Sequence, residues 1–224
     1  MLLLAIDTAT SAITVALHDG QKVLVESSTL DSRRHGECLA PAMAEVLARA
    51  GRPAADVTAV VSGTGPGPFT GLRVGLVTAR TFAFARGIPV FGVCSLDAMA
   101  HEAWLGGAVE VGQSCVVATD ARRKEVYWAR YDITDEGAMR QGAPMVAKAA
   151  TIAAEVRGLP VIGRGAVLYA ESFGPRVGLL DVNAGALADL AVRIMTAGDD
   201  LPAPEPMYLR RPDATPSLSR KAAL

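Results

Sequence analysis

The fold of this chain is decided by the stretch Gly63-Thr64-Gly65-Pro66-Gly67-Pro68-Phe69-Thr70-Gly71-Leu72-Arg73. A short apolar run at residues 57–61 precedes this stretch and predicts a buried strand. Apolar residues at helical spacing follow it up to Gly87, and residues 88–93 predict a second strand. The pattern therefore predicts a βαβ unit with a glycine-rich turn between its first strand and its helix.

The glycine loop is costly in chain entropy, because glycine loses more conformational freedom on folding than any other residue. Such a loop, with Thr70 as a candidate helix cap, can present backbone N–H groups to an anion. It can equally pack tightly against a neighbouring element, and both interpretations stay open. No Gly-Lys-Ser/Thr triplet closes it, so it is not a P-loop. Its candidate site residues are Gly63, Thr64, Gly65, Gly67, Thr70, Gly71 and Arg73.

The composition narrows the class of protein. With 224 residues, the chain is long enough for one large domain or two small lobes. Its formal net charge of -1 argues against independent binding of nucleic acid through a basic patch. Three widely spaced cysteines, Cys38, Cys94 and Cys115, do not suggest a disulfide framework and fit a reducing cytoplasm. No stretch reaches transmembrane length, and Asp7 ends the apolar N-terminal run too early for a signal peptide.

The N-terminal region predicts three antiparallel strands. Residues 2–6, 13–17 and 22–28 have β-type composition, and Asp19-Gly20 is a strong hairpin signal. An acid followed by small hydroxyl residues separates the first two strands; this turn can hold a phosphate or a metal, or it can be an ordinary hydroxyl-rich turn. Its candidate site residues are Asp7, Thr8, Thr10 and Ser11.

The remaining pattern predicts a mixed α/β chain. A helix over residues 37–50 has an apolar side and a flat alanine-rich side, so it can serve a subunit contact as well as the core. Gly106-Gly107 indicates a linker, strands follow near residues 115–118 and 125–131, and residues 183–196 predict a helix. The proline-rich tail from Pro202 predicts an extended or partly disordered end.

Catalytic machinery is not evident in the sequence. A hydrolase nucleophile would need an elbow such as Gly-x-Ser-x-Gly, which is missing. The three histidines, His18, His35 and His101, form no His-Glu-x-x-His or other compact pair, which argues against a zinc or iron site. We therefore assign no catalytic residue and no metal ligand from the sequence.

Five segments in shared order resemble the TsaB (YeaZ) family. They are Ile6-Asp7-Thr8-Ala9-Thr10, His35-Gly36-Glu37-Cys38-Leu39-Ala40-Pro41, the glycine loop through Arg73, Asp120-Ala121-Arg122-Arg123-Lys124-Glu125-Val126-Tyr127 and Met207-Tyr208-Leu209-Arg210. The resemblance implies an α/β fold of the actin-like ATPase (ASKHA, ribonuclease H-like) type with two lobes, the second one reduced. The expected division is an N-terminal lobe at residues 1–105, a smaller lobe at 106–205 and a tail at 206–224.

The same resemblance implies that the chain does not catalyse a reaction itself. The chain would be the activating subunit for TsaD, which transfers threonylcarbamoyl to the adenosine beside the anticodon of tRNAs that read codons beginning with A. The alternative is an enzyme of the same fold, either a metal-dependent peptidase or a nucleotide-hydrolysing or phosphoryl-transfer protein. Against the peptidase, residues 95–101 hold one histidine where TsaD-like proteins carry a His-x-x-x-His pair.

The resemblance also implies the partners. These are TsaD, TsaE in a ternary complex, and a second copy of the chain when it is alone; tRNA would be contacted only indirectly, in the cytoplasm and away from membranes. No cofactor is expected beyond weak ATP or ADP binding at a vestigial Asp7–Ser11 turn. The first two helices of the N-terminal lobe would form the interface. Its expected contact residues are Leu39, Met43, Val46, Leu47, Leu72, Leu76, Arg80 and Ala83.

Overall fold

The computed structural model describes residues 1–31 and 34–210. It contains two five-stranded sheets with helices between and outside them. The first part of the chain forms β1 (Leu3–Asp7), β2 (Ala12–His18), β3 (Val23–Leu30), α1 (His35–Arg49), β4 (Ala59–Gly63), α2 (Phe69–Arg86), β5 (Val90–Val93) and α3 (Ser95–Leu105). The second part forms β6 (Ser114–Asp120), β7 (Glu125–Thr134), β8 (Gly137–Lys148), α4 (Ala149–Ile152), β9 (Val161–Ile162), α5 (Gly165–Leu168), β10 (Arg176–Val177) and α6 (Ala184–Ala197).

The two sheets have the same topology. In the first sheet the order is β3-β2-β1-β4-β5, with antiparallel pairing among β1, β2 and β3 and parallel pairing from β1 through β4 to β5. The second sheet repeats this order as β8-β7-β6-β9-β10. This duplicated arrangement confirms the predicted α/β fold of actin-like type.

The second half of the chain has shorter helices between its strands than the first half. The connections that carry α1 and α2 in the first half carry only the four-residue helices α4 and α5 in the second. The domain boundary near Gly106-Gly107 stays a prediction. Of the predicted tail, residues 206–210 are described and 211–224 lie outside the described residues.

The first sheet is covered on both faces, which explains why every residue of β1 and β2 is buried. Leu4 and Ile6 pack with α1 and α2 on one face, while Leu3 and Ala5 face α3, α6 and the second sheet. Since side chains alternate along a strand, this single apolar run supplies both cores. The carboxyl ends of β1, β4 and β5 consequently lie side by side, because parallel strands run in one direction.

Two predictions about helix starts are wrong. Thr70 is not the cap of α2, because the helix already begins at Phe69 after Pro68, which provides no side-chain cap. Helix α1 begins at His35 rather than near residue 37, and it holds Pro41 inside its second turn. The Asp19-Gly20 hairpin and the helix predicted at residues 183–196 are confirmed, and the Asn183 side chain caps this helix.

Candidate functional site

The Asp7 turn lies at the carboxyl end of β1 and is fully engaged in internal contacts. The Asp7 carboxylate accepts hydrogen bonds from the Ala9 N–H at 2.7 Å and from the Ser95 hydroxyl at 2.5 Å. The Thr8 hydroxyl donates to the Gly71 carbonyl at 2.7 Å and accepts from the Gly75 N–H at 3.0 Å. Both side chains are buried, so the turn joins β1 to α2 and α3.

The glycine loop packs directly against this turn. A side-chain Cβ at Gly63 would overlap the Asp7 carboxylate, and one at Gly67 would overlap the Ala9 backbone. One at Gly71 would approach the Thr8 carbonyl oxygen to 2.6 Å. The glycines therefore permit close backbone approach within the chain itself.

The other loop residues also have partners inside the chain. The Gly65 N–H donates to the Ser95 hydroxyl at 3.1 Å, and the Thr64 hydroxyl donates to the Val93 carbonyl at 3.2 Å. The exposed Arg73 guanidinium lies 4.9 Å from the centre of the Phe69 ring. The Phe69 ring also contacts the Tyr208 ring, with the ring centres 4.8 Å apart and the planes tilted by 32°, so the C-terminal arm is held on α2.

Burial raises the pKa of the Asp7 carboxyl to about 6, although the hydrogen bonds from Ser95 and Ala9 favour the ionised form and partly offset it. The folded state therefore binds this proton more tightly than the unfolded state, whose Asp pKa is near 3.8. The protonated Asp7 carboxyl therefore contributes its full stabilisation of the fold only below the unfolded pKa of 3.8. This stabilisation is lost as the pH rises through the folded pKa of about 6.

A pH-dependent effect of Asp7→Asn follows from this shift. Between about pH 5 and pH 8, the wild type should lose about 1 to 2 kcal/mol of stability relative to Asp7→Asn, since the amide does not ionise. Urea unfolding of both proteins at several pH values measures the difference. Asp135→Asn, in an exposed turn, controls for the loss of charge. A difference that does not change with pH would contradict the assignment.

A small cavity of 80 Å³, lined mostly by polar residues, lies between the two halves, beside the Asp7 turn. Thr10, Ser11 and Thr70 line it from the first half, and Thr119 and Arg164 line it from the second. The remaining lining residues are His35, Pro68, Gly71, Asp120, Arg122, Leu180 and Asp181. The cavity thus brings together Thr10, Ser11, Thr70 and Gly71 of the predicted site residues, while Asp7 and Thr8 lie buried behind it.

Two arrangements here were missed by sequence reasoning. Asp181 accepts two hydrogen bonds from Arg164 and one from the Ser11 N–H. Elsewhere, Asp189 on α6 accepts from His101 at 2.7 Å and lies 3.7 Å from His18. Burial lowers the pKa of His101, and Asp189 partly offsets this effect. The residues of each arrangement lie far apart in the sequence, so no local motif predicts their contact.

Within residues 1–31 and 34–210, no three His, Cys, Asp or Glu side chains are grouped so that they could hold a metal ion. In the same part of the chain, no helix has both the length and the apolar character needed to cross a bilayer.

The predicted interface residues lie on α1 and α2, which pack against each other, but most face inwards. Only Arg80 is exposed, and it pairs with Glu205 at 2.9 Å. The other seven are buried, namely Leu39, Met43, Val46, Leu47, Leu72, Leu76 and Ala83. Above them, Met43 and Leu47 form the floor of a groove of 490 Å³. The further lining residues of this groove are Ala40, Ala44, Val77, Thr78, Thr81, Phe82 and Ala85.

Comparison with known proteins identifies the family. The family model of TsaD, tRNA N6-adenosine threonylcarbamoyltransferase, matches residues 27–214. An uncharacterised protein of Mycobacterium tuberculosis (strain H37Rv) is 44% identical over 218 residues, which are 95% of this chain and 93% of that protein. The tRNA threonylcarbamoyladenosine biosynthesis protein TsaB of Escherichia coli is 39% identical over 138 residues, 61% of this chain and 58% of that one.

The likeness extends to solved structures. YeaZ from Pseudomonas aeruginosa superimposes with a TM-score of 0.76 at 30% sequence identity, covering 93% of this chain and 99% of that chain. With this coverage the match includes both sheets. With the shared motifs and the family match, it shows that the chain belongs to the TsaB (YeaZ) family.

Proposed function

We propose that this protein is the non-catalytic activating subunit of TsaD in threonylcarbamoyl transfer to tRNA. The target would be the adenosine beside the anticodon of tRNAs that read codons beginning with A. Family membership supports a place in threonylcarbamoyladenosine biosynthesis, the process for which the E. coli relative is named. The activating role is the finer step, and it rests on the surface of α1 and α2.

The observation that carries the proposal is the exposed apolar face of the α1–α2 pair. Val77 is 59% exposed and Phe84 is 90% exposed, although both are large apolar side chains. Val77 lines the groove of 490 Å³, whose rim includes the small residues Ala40 and Ala44. Small residues allow two helices to approach another helix pair closely, as in a four-helix bundle. An apolar groove of this kind suits a protein partner.

The Asp7 turn supports a structural role rather than phosphate chemistry. Its carboxylate and the Thr8 hydroxyl are already bonded to α2, α3 and their own backbone. A kinase of this fold would need such groups to be available to a nucleotide. In this protein they secure the base of α2, the helix that presents Val77 and Phe84. The turn and the glycine loop thus position the proposed interface.

We infer the partners from the family resemblance. TsaD would occupy the α1–α2 face, a second copy of the chain would compete for it when TsaD is absent, and TsaE would join in a ternary complex. tRNA would then be reached through TsaD, in the cytoplasm. We propose no required cofactor, and any binding of ATP or ADP by the chain alone would be weak.

Reconstitution tests the proposal directly. Threonylcarbamoyladenosine formation on tRNA is measured with TsaD, TsaE and the enzyme that makes threonylcarbamoyl-adenylate, with and without this protein. We expect product formation to depend on the protein. The isolated chain is assayed in parallel for ATP hydrolysis and peptide hydrolysis, and both rates should equal those of a buffer blank.

A mixture that responds to the E. coli TsaB but not to this chain would contradict the activating role. Substantial ATP or peptide hydrolysis by the isolated chain would favour the enzymatic alternative instead. To identify the source of such activity, the assay would be repeated with Asp7→Asn and with Asp135→Asn.

A further inference from the structure

Residues 201–210 form an arm without helix or strand that lies beside α2. The Met207 N–H donates to the Thr64 carbonyl at 2.8 Å, which fixes the arm to the end of β4. The Glu205 carboxylate accepts a hydrogen bond from the Arg80 guanidinium at 2.9 Å, which joins the arm to the exposed side of α2. The arm therefore forms part of the molecular surface beside this helix.

Near the start of α2, the arm supports an aromatic ring on which an arginine lies. The Tyr208 and Phe69 ring centres are 4.8 Å apart, and the Arg73 guanidinium lies 4.9 Å from the centre of the Phe69 ring. Phe69 is 41% exposed and Tyr208 is 43% exposed, so the aromatic pair lies at the surface. A guanidinium is attracted to the face of an aromatic ring, which restricts the positions it adopts. The aromatic pair thus holds Arg73 in place at the surface.

The charge of Arg73 is not neutralised by a carboxylate in the part of the chain that the structure describes. Helix α2 carries three arginines and no acidic residue. Arg80 is paired with Glu205, and Arg86 donates to the Ala55 carbonyl at 2.9 Å. The N–H groups of Arg73 are therefore available to a carboxylate of another protein.

Arg73 also continues the surface that we propose for TsaD. It precedes Val77 by one helical turn, and residues four apart on a helix are neighbours on its surface. Val77 lines the groove towards α1, whereas the arm contacts α2 at Phe69 and Arg80. Arginine and aromatic side chains are enriched among the residues that dominate binding energy at protein interfaces.

We propose that Arg73 binds a carboxylate on the surface of TsaD that docks on the α1–α2 face, and that Phe69 and Tyr208 are positioning residues that hold its guanidinium. This inference rests on the proposed function and extends the docking surface from α1 and α2 to the arm. A side chain that is held in place before association loses less conformational freedom on binding. The partner surface therefore carries an acidic residue beside its apolar contact with Val77.

The test measures binding of the full chain to immobilised TsaD by surface plasmon resonance at several salt concentrations. We expect Arg73→Gln to weaken binding about tenfold or more at low salt and to reduce the salt dependence of the affinity, because a charged contact is lost. Arg73→Lys keeps the charge but loses the planar group that stacks on Phe69, so its affinity should be intermediate. Arg176→Gln, the same change at an exposed arginine on β10, should bind as the wild type does.

Tyr208→Ala tests the positioning role without a change of charge. This variant removes the support of the Phe69 ring and should weaken binding about threefold or more in the wild-type background. In the Arg73→Gln background it should have little further effect, because the guanidinium that it positions is already missing. Tyr208→Phe keeps the ring and should restore the wild-type affinity. Thermal melting checks that each variant is folded.

The outcomes separate this inference from the proposed function. A folded Arg73→Gln that keeps full affinity, while Val77→Asp loses it, would overturn the role of Arg73 and leave the activating role standing. Equal losses from Tyr208→Ala with and without Arg73 would show that Tyr208 does not act through the guanidinium. A wild type that does not bind TsaD would contradict the proposed function, and this inference with it.

Discussion

Gly63→Ala is expected to lower the free energy of unfolding by about 3 kcal/mol or more, because overlap in a rigid core cannot relax. The added Cβ would fall within the space of the Asp7 carboxylate, and it would lie 2.7 Å from the Ser95 hydroxyl oxygen. Both neighbours are buried and bonded to each other, and Gly63 itself ends a central strand. Urea unfolding followed by circular dichroism measures the loss.

Gly36→Ala is the matched control for this prediction. Gly36 lies in the first turn of α1, and a Cβ there meets no atom within 4 Å. Alanine is the better helix former, so this variant should be unchanged or more stable by up to about 1 kcal/mol. Equal stabilities for Gly63→Ala and Gly36→Ala would mean that the glycine loop does not pack on the Asp7 turn as described.

Val77→Asp is expected to weaken binding of TsaD by about 30-fold or more, because a desolvated charge would face an apolar partner surface. Val77 is exposed in the free chain, so the variant should fold normally. This choice avoids Met43 and Leu76, which are buried and whose replacement by a charge would disturb the core. The affinity is measured by surface plasmon resonance with immobilised TsaD, and folding is checked by thermal melting. Phe84→Asp tests the same helix face about two turns further along α2.

Val111→Asp controls for the chemistry of the substitution. Val111 is also about half exposed, at 52%, and it lies in the turn before β6, away from α1 and α2. It should bind TsaD as the wild type does. If Val77→Asp and Phe84→Asp both fold and retain full affinity, the α1–α2 face is not the TsaD contact, and the activating role would need another surface.

Much of the first sheet could be predicted because its signals are local. The apolar runs of β1 and β2, the Asp19-Gly20 turn and the helical spacing after the glycine loop each lie within a few consecutive residues. Strand β8 was missed, since its sequence has few buried positions and contains Pro144 and two glycines. Strand β8 forms because its backbone pairs with β7, although its composition does not favour a strand.

The interface prediction shows where periodicity stops being informative. Helical spacing placed Leu39, Val46 and Leu72 on α1 and α2 correctly, but it did not distinguish the side that faces the sheet from the side that is exposed. Both sides carry small and apolar residues. Burial in the folded chain separates them, with Leu39 and Val46 inside and Val77 outside.

Most elements of the first sheet and the βαβ unit with its glycine turn could be read from the sequence, because each depends on spacing between neighbouring residues, and the five shared segments pointed to the family. The contacts that these residues make depend on the tertiary structure. Asp7, Gly63 and Ser95 meet because β1, β4 and β5 are adjacent parallel strands. Ser11, Arg164 and Asp181 meet because the second sheet lies against the first. Contacts between such distant residues depend on strand order and packing, which no local pattern encodes.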